Sequence, residues 1–196
     1  MTLYVNYNII SIKFIIIKFL LKLRRSFIKR VDKHNYYLGI AEEVLSRATC
    51  LRRNYGAVIV KNDEIISTGY NGAPRGRDNC IDLGFCAREK LSIKQGQNYE
   101  LCRSVHAEQN AIISAARKDI IDGTLYMVGK DAKTGKILDN IDSCIMCKRV
   151  VINAGIKQVI VKDVNSESGY KIIDVNDWIN YDEVLESKVK PLINNK

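Results

Sequence analysis

Two short motifs, each standing just before a predicted helix, constrain this chain more than any other feature. The first is His106-Ala107-Glu108, which holds one of only two histidines in the 196 residues. The second is Cys144-Ile145-Met146-Cys147, in which two thiols stand three positions apart. One imidazole, two thiols and a spare carboxylate are the side chains of a catalytic zinc site with one open position. The fold must therefore bring two helix starts to one point.

The position of both motifs at helix starts supports this chemistry. Free backbone N–H groups in the first turn of a helix, together with a metal, favour the thiolate form of Cys144 and Cys147. His106 completes the predicted ligand set. Because bound zinc lowers the pKa of water to about 7, Glu108 is predicted to carry protons to and from the reacting groups. Together these residues suit a hydrolytic deamination.

Each motif taken alone has other interpretations. A His-x-Glu triplet is common by chance, and a Cys-x-x-Cys pair also occurs as a redox pair or as half of a structural zinc site. Redox pairs usually follow a strand, whereas an extended polar segment precedes Cys144. The two motifs in this order, each followed by a predicted helix and strand, favour a catalytic metal site.

The composition is that of a folded protein, with 46% apolar and 27% charged residues. Six cysteines allow either a secreted disulfide framework or thiols kept reduced for metal binding. The apolar N-terminal stretch lacks a small-residue cleavage site and is interrupted by lysines, so it is not predicted to be a cleavable signal peptide. We therefore expect a reduced, cytoplasmic protein.

The net charge of +9 is concentrated at one end of the chain. The first 33 residues hold eight Lys or Arg and one Asp, which leaves a net charge of only +2 for the remainder. Since the body of the protein is close to neutral, the charge does not indicate nucleic-acid binding.

The N-terminal residues 1–30 differ in character from the rest. As a helix they would be cationic and amphipathic, which suits contact with a membrane surface, but the lysines within the apolar run argue against a spanning segment. The alternative is a flexible extension, or a start placed too early, with the true start near Val31. We favour this second interpretation and predict one folded domain over residues 31–196.

From Lys33 onward, the pattern of apolar residues predicts an α/β domain with a mixed sheet. A first helix is expected over 34–50, followed by a hairpin of two strands at 57–60 and 65–70. A second helix begins near Val105, and a third runs from Cys144 to Ala154. The remaining expected elements are strands at 125–128, 159–161 and 172–173, a polar excursion at 129–142, and helical segments near 176–181 and 183–189.

Beyond these patterns, the chain resembles the deoxycytidylate (dCMP) deaminase family of the cytidine deaminase-like superfamily. The resemblance runs in order over about residues 34–162. The stretches that carry it are Thr49–Arg53, Gly56–Val60, Gly69–Gly76, Glu100–Arg103, His106–Ile112, the Cys144–Cys147 pair and Ile152–Ile156.

The resemblance implies a three-layer α/β/α fold with a five-stranded mixed sheet. It implies zinc-dependent hydrolysis of dCMP to dUMP and ammonia, with water attacking C4 of the cytosine ring and Glu108 as general acid and base. It also implies a homo-oligomer, often a hexamer. Alternatives are a deaminase of another cytosine-type nucleoside or base, or a competence-linked scaffold that keeps the fold.

The same resemblance implies further site residues at Asn71, Cys50 and Cys80, and the chemistry and loop position of other side chains add further candidates. Asn71 matches an asparagine that contacts the nucleotide sugar, although an Asn-Gly pair can also simply form a turn. Five arginines could reach a phosphate and are not ranked by the sequence: Arg52, Arg53, Arg75, Arg77 and Arg103. Four cysteines are candidates for a second zinc that orders the long loop, the alternative being free buried thiols: Cys50, Cys80, Cys86 and Cys102.

One residue departs from the family pattern. Ser143 stands where the family has proline, immediately before the first cysteine of the pair. A serine at this point is expected to cap the following helix, so zinc binding should be retained.

Overall fold

The computed structural model describes residues 30–94 and 96–194 of the protein. The expectations for the N-terminal extension therefore fall almost wholly outside the described residues. Within the described ranges, no helix is both long enough and apolar enough to cross a lipid bilayer.

A five-stranded mixed sheet forms the centre of the domain, in the order β2-β1-β3-β4-β5. Strands β3 and β4 run parallel, and the other three neighbouring pairs run antiparallel. The mixed sheet expected from the sequence is confirmed. Its strands are β1 (Arg53–Lys61), β2 (Glu64–Tyr70), β3 (Thr124–Asp131), β4 (Gln158–Lys162) and β5 (Tyr170–Asp174).

Three helices contribute most to the packing against this sheet, namely α1, α4 and α6. The long connection between β2 and α4 contains two short helices and a 3-10 turn at Tyr99–Leu101, and a π-helical turn at Leu185–Val189 precedes the last helix. The α-helices are α1 (Lys33–Leu45), α2 (Cys80–Leu83), α3 (Ala87–Lys90), α4 (Ala107–Ile113), α5 (Arg117–Ile120), α6 (Ile145–Ala154), α7 (Val175–Asn180) and α8 (Lys190–Asn194).

Each face of the sheet has its own hydrophobic core. Successive side chains of a strand point to opposite faces, so Ala57 and Ile59 of β1 pack with α4 and α6, whereas Val58 and Val60 pack with α1. All four residues are 6% exposed or less. The domain is therefore a three-layer α/β/α structure, as the sequence resemblance implied.

Several predicted boundaries were wrong. Strand β1 begins at Arg53 rather than residue 57. Helix α1 ends at Leu45 rather than residue 50, because the N–H groups of Ser46, Arg47 and Ala48 bond to carbonyls only three residues back, which tightens and ends the helix. The segment 129–142 is not wholly an excursion, since its first three residues continue β3, where Asp131 pairs with Arg53 of β1.

The strand register gathers one end of the sheet around the predicted site. Because β1 is antiparallel to both neighbours, its start lies beside the ends of β2 and β3. Just past β2, Gly72 exchanges two backbone hydrogen bonds with Val105, at 3.2 and 2.8 Å. This bridge holds the residue immediately before His106 at the same end of the sheet.

Helix α4 lies unusually close to β2, and Gly69 makes this approach possible. A Cβ atom at Gly69 would lie 2.3 Å from both the carbonyl oxygen of Ala107 and the backbone nitrogen of Ala111. Since real Cβ contacts are not this short, any side chain at this position would push the helix away. The position of the first turn of α4 therefore depends on a glycine in the strand.

We expect Gly69→Ala to lower the free energy of unfolding by about 1–3 kcal/mol, the usual cost of overpacking a core. Urea denaturation of the purified protein measures this change. Gly39→Ala is the matched control, because Gly39 lies within α1 with open space around it, and alanine there should stabilise the helix by up to about 1 kcal/mol. Equal stability of Gly69→Ala and the unmodified protein would contradict the argument.

Candidate active site

The imidazole and the two thiols predicted as metal ligands come together at two helix starts. His106 is the N-cap residue of α4, and Cys144 is the N-cap residue of α6. The backbone N–H of His106 donates a hydrogen bond of 3.1 Å to Oε1 of Gln109, which fixes the start of α4. His106 Nδ1 lies 3.5 Å from Sγ of Cys144 and 3.2 Å from Sγ of Cys147.

These distances suit a tetrahedral metal ion. All three ligand atoms lie within 4.8 Å of one another. Zinc bonds of about 2.3 Å to sulfur and about 2.0 Å to nitrogen place the N and S ligands of a tetrahedral site about 3.6 Å apart. Three such ligands leave a fourth position open. The donor set and its spacing therefore fit a zinc ion that keeps one position for water or substrate.

Glu108 lies in the first turn of α4, with its carboxylate buried beside this cluster. The residue is 5% exposed, and burial raises the pKa of the Glu108 carboxyl above its usual value. The positive charge of His106 and hydrogen bonds from the backbone N–H of Glu108 and from Ser143 act in the opposite direction without reversing the shift. A carboxyl group with a raised pKa is suited to exchange protons near neutral pH.

The ligands affect one another's protonation before any metal binds. A hydrogen bond from the Cys147 thiol is the main cause that lowers the pKa of Cys144 to about 4. The same bond and burial raise the pKa of Cys147. Burial alone would lower the pKa of His106, but the bond to Cys144 and the charge of Glu108 outweigh it and raise that pKa. The metal-free site therefore holds protons that a metal must displace.

A cleft opens onto the cluster and contains both polar and apolar side chains. Its lining includes Met127 of β3, Arg53 at the start of β1 and Arg52 just before it. The hydroxyl of Ser104 is buried in the cleft wall with no protein partner among the described residues. Of the five arginines that the sequence could not rank, Arg52 and Arg53 are cleft residues and Arg75, Arg77 and Arg103 are not.

A stack of side chains that no sequence pattern indicates supports His106. The ring of Tyr99 meets the imidazole edge-on, with ring centroids 5.5 Å apart. The guanidinium of Arg88 lies 4.9 Å from the centre of the Tyr99 ring and donates hydrogen bonds to three carbonyl oxygens of residues 94, 97 and 98. Both residues lie in the long connection without a recognisable motif, so no sequence signal points to them.

Asn71 lies in the cleft wall, but its amide already bonds to the backbone of β1. Its Oδ1 accepts a hydrogen bond of 2.7 Å from the N–H of Tyr55, and its Nδ2 donates one of 2.9 Å to the carbonyl of Arg53. Asn71 therefore extends the hairpin pairing by one residue. Its oxygen keeps a second lone pair and its nitrogen a second hydrogen, so contact with a ligand sugar stays a prediction.

The four remaining cysteines are neighbours but do not converge as tightly as the first cluster. Burial raises the pKa of Cys80, and the nearby thiols of Cys50, Cys102 and Cys86 add to this effect. Within the described part of the chain, their sulfurs do not form a group of three within 4.8 Å of one another. A second metal site at these residues stays a prediction.

The expected role of Ser143 was wrong. The N-cap of α6 is Cys144, and Ser143 does not cap the helix. Instead, the buried Ser143 hydroxyl donates a hydrogen bond of 3.0 Å to Oε1 of Glu108. Its departure from the family pattern was visible in the sequence, but its partner was not, because the two residues lie 35 positions apart.

Comparison with known proteins identifies relatives over most of the domain. The family model described as "Cytidine and deoxycytidylate deaminase zinc-binding region" matches residues 31–163. A deoxycytidylate deaminase of Mycobacterium phage D29 is 34% identical over 136 residues, covering 67% of this chain and 94% of the phage protein. A deoxycytidylate deaminase of Schizosaccharomyces pombe is 32% identical over 126 residues, or 64% of this chain, which spans only 35% of the yeast protein.

One further curated protein and two solved structures are also similar to this chain. The Bacillus subtilis ComE operon protein 2 is 30% identical over 131 residues, covering 67% of this chain and 59% of that protein. Among solved structures, dCMP deaminase from the cyanophage S-TIM5 in complex with dCMP and dUMP is 24% identical, with a TM-score of 0.48 over 69% of this chain and 84% of that one. Cytidine deaminase from Burkholderia pseudomallei has a TM-score of 0.47 and 18% identity over 74% of this chain and 95% of that one.

We expect the zinc affinity of the protein to decrease as the pH is lowered. The metal-bound site needs a neutral His106 and an ionised Cys147, whereas both groups have raised pKa values in the metal-free protein. Binding therefore releases protons, and the affinity should change by about tenfold per pH unit for each proton released. Competition with a chromogenic chelator between pH 8 and pH 6 measures it. A constant affinity over this range would contradict the assignment of these ligands.

Proposed function

We propose that this chain, which belongs to the family of the cytidine and deoxycytidylate deaminase zinc-binding region, hydrolyses dCMP to dUMP and ammonia with a zinc ion at the described cluster. The observation that carries the proposal is the meeting of three ligand atoms within 4.8 Å beside a buried carboxylate. No other arrangement of ligand atoms among the described residues meets this distance. In this role, zinc would be held by His106, Cys144 and Cys147.

Bound zinc would supply water with a lowered pKa at the open position. Glu108 would take a proton from the attacking water and deliver protons to the ring nitrogen and to the departing amine. Water then adds at C4 of the pyrimidine, the bond from C4 to the exocyclic nitrogen breaks, and ammonia leaves. Burial raises the pKa of the Glu108 carboxyl, which favours a group that accepts a proton in one step and donates it in the next.

The cleft supports a nucleotide as the substrate. Arg52 and Arg53 line it, and guanidinium matches a phosphate in charge and geometry. Nε of Arg52 also pairs with Oε1 of Glu89 at 3.3 Å. The unpartnered Ser104 hydroxyl offers a further polar contact. Asn71 is the candidate for contact with the sugar. The phage relative that this chain spans almost completely is named a deoxycytidylate deaminase, which favours dCMP over another cytosine-type substrate.

The proposal includes a second, structural zinc at the four remaining cysteines. Three of them face the same cleft and the fourth, Cys80, lies within electrostatic reach of all three. Four thiolates would complete a closed tetrahedral site, and a metal there would order the long connection. A modest approach of the sulfurs is needed, since they are farther apart than those of the first cluster.

The proposed setting is the cytoplasm. All six cysteines are free thiols, the state that a reducing compartment maintains. Assembly into a homo-oligomer, which the resemblance implies, stays a prediction that sedimentation of the purified protein would test.

The zinc-loaded protein should consume dCMP, with loss of cytosine absorbance and release of one ammonia per dUMP. Glu108→Gln should keep its zinc yet lower kcat by about 10²–10⁴, the usual contribution of general acid–base catalysis. Zinc analysis and an ammonia assay on the same samples measure both quantities. Ser67→Ala is the matched control, because its buried hydroxyl also bonds to α4 but at Ala111, away from the cluster.

Two outcomes would contradict this proposal. Turnover of deoxycytidine without turnover of dCMP would keep the chemistry and replace the substrate. Absence of turnover with dCMP, deoxycytidine and cytidine, in protein that contains zinc, would favour a scaffold that retains the metal site without the activity.

We expect two zinc ions per chain in the wild-type protein and about one in Cys80→Ser. The first cluster does not include Cys80, so the remaining ion should stay at His106, Cys144 and Cys147. Elemental analysis after gel filtration gives the metal content. Cys147→Ser is the complementary variant, which should lose the catalytic ion and keep the second. A single zinc in the wild-type protein would remove the second site from the proposal.

A further inference from the structure

We propose that Ser143 is a positioning residue for Glu108, in which its hydroxyl holds one carboxylate oxygen so that the other faces the reacting groups. The inference rests on the proposed function of the cleft and names a residue that shapes it. It is built on the contact between two buried side chains from different parts of the chain.

The contact between these two residues is direct and shielded from water. The Ser143 hydroxyl donates to Oε1 of Glu108 at 3.0 Å, and the two residues are 3% and 5% exposed. A hydrogen bond to a buried carboxylate is worth more than one at the surface, because water cannot replace it. The bond therefore has enough strength to select one orientation of the carboxylate.

A hydrogen bond at one oxygen fixes the orientation of a glutamate carboxylate. The terminal torsion of a glutamate side chain is broad and has no sharp preference, so burial alone does not decide which way its oxygens point. The Ser143 hydroxyl binds Oε1, and together with the hydrogen bond from the backbone N–H of Glu108 it restricts the plane of the carboxylate. In the proposed role, Oε2 is the oxygen that exchanges protons. Proton transfer needs this alignment, because it falls off outside hydrogen-bond reach.

The backbone at Ser143 is itself held in place. Its N–H donates a hydrogen bond of 2.8 Å to Oδ1 of Asp142, and the other oxygen of Asp142 pairs with Nζ of Lys148 at 2.6 Å. Lys148 lies on α6, one turn after Cys144. The hydroxyl of Ser143 is thus tied to the same helix that presents the thiols of the cluster.

The residue type matters, because the family pattern has proline at this position. Proline has no hydroxyl and no backbone N–H, so it can make neither the bond to Glu108 nor the bond to Asp142. Serine gives this chain a link between its proposed general acid and base and the start of α6 that the usual residue cannot form. We infer that this chain depends on the link to orient Glu108.

The test compares Ser143→Ala with Ser143→Thr in zinc-loaded protein. Alanine keeps the N–H bond to Asp142 and removes the hydroxyl, and it should lower kcat about tenfold, the cost of one hydrogen bond to a charged group, while KM changes less than about twofold. Threonine keeps the hydroxyl and should restore kcat. Zinc content should stay unchanged in both. If Ser143→Ala does not fold, Ser143→Gly removes the same hydroxyl.

A second readout does not depend on activity. In a double-mutant cycle, Ser143→Ala and Glu108→Gln should change the free energy of unfolding of metal-free protein non-additively, since they remove the same bond. Ser67→Ala is the control and should add independently to Glu108→Gln, because its hydroxyl bonds to the carbonyl of Ala111.

The outcomes separate this inference from the proposed function. A kcat for Ser143→Ala within about twofold of the wild type, failure of threonine to restore activity, or additive stability effects would each overturn the positioning role. Absence of dCMP turnover in the wild type would overturn the proposed substrate instead. In that case the kinetic comparison moves to whichever cytosine compound is consumed, and the stability cycle still decides the role of Ser143.

Discussion

The site depends on the meeting of two helix starts at one end of the sheet. Helix α4 reaches this point because Gly69 lets it lie against β2 without a side chain between them. Helix α6 reaches it because parallel strands need a crossover connection, and α6 is the crossover between β3 and β4. Once both helices are placed, His106 Nδ1 lies 3.2 and 3.5 Å from the two sulfurs without further adjustment. The cluster of three candidate ligands is a consequence of how the sheet is connected.

This arrangement has a cost in stability that falls on Glu108. Its folded pKa is raised by burial, so stability is greatest while the carboxyl stays protonated, below the pKa of the unfolded chain, and is lost as pH rises through the folded pKa. At neutral pH the metal-free fold is therefore less stable than it would be with an exposed glutamate at this position. The charge of His106 and the hydrogen bond from Ser143 reduce this loss of stability. Such a cost is common where catalysis needs a buried ionisable group.

Much of this molecule could be predicted from its sequence, because the signals were local or followed a recognisable pattern. Short apolar runs located all five strands, and the two helix-start motifs predicted that His106 and Cys144 lie close together. The errors have physical causes. The end of α1 is set by hydrogen bonds at Ser46–Ala48 that no side-chain pattern records. The bond from Ser143 to Glu108 joins residues 35 positions apart, and only the packing of α4 against α6 brings them together.

The long connection between β2 and α4 shows how an irregular segment can form one wall of such a cleft. The guanidinium of Arg88 collects three backbone carbonyls of residues 94–98, which satisfies groups that a loop would otherwise leave unpaired. The same guanidinium lies over Tyr99, and Tyr99 in turn meets the edge of His106. These contacts connect the ordered loop to the imidazole ring of His106, which lies beside the two thiols. Because Cys80 and Cys86 stand at the starts of the two short helices in this connection, a metal bound there would hold these two helix starts together, and cleft shape and metal content would be coupled.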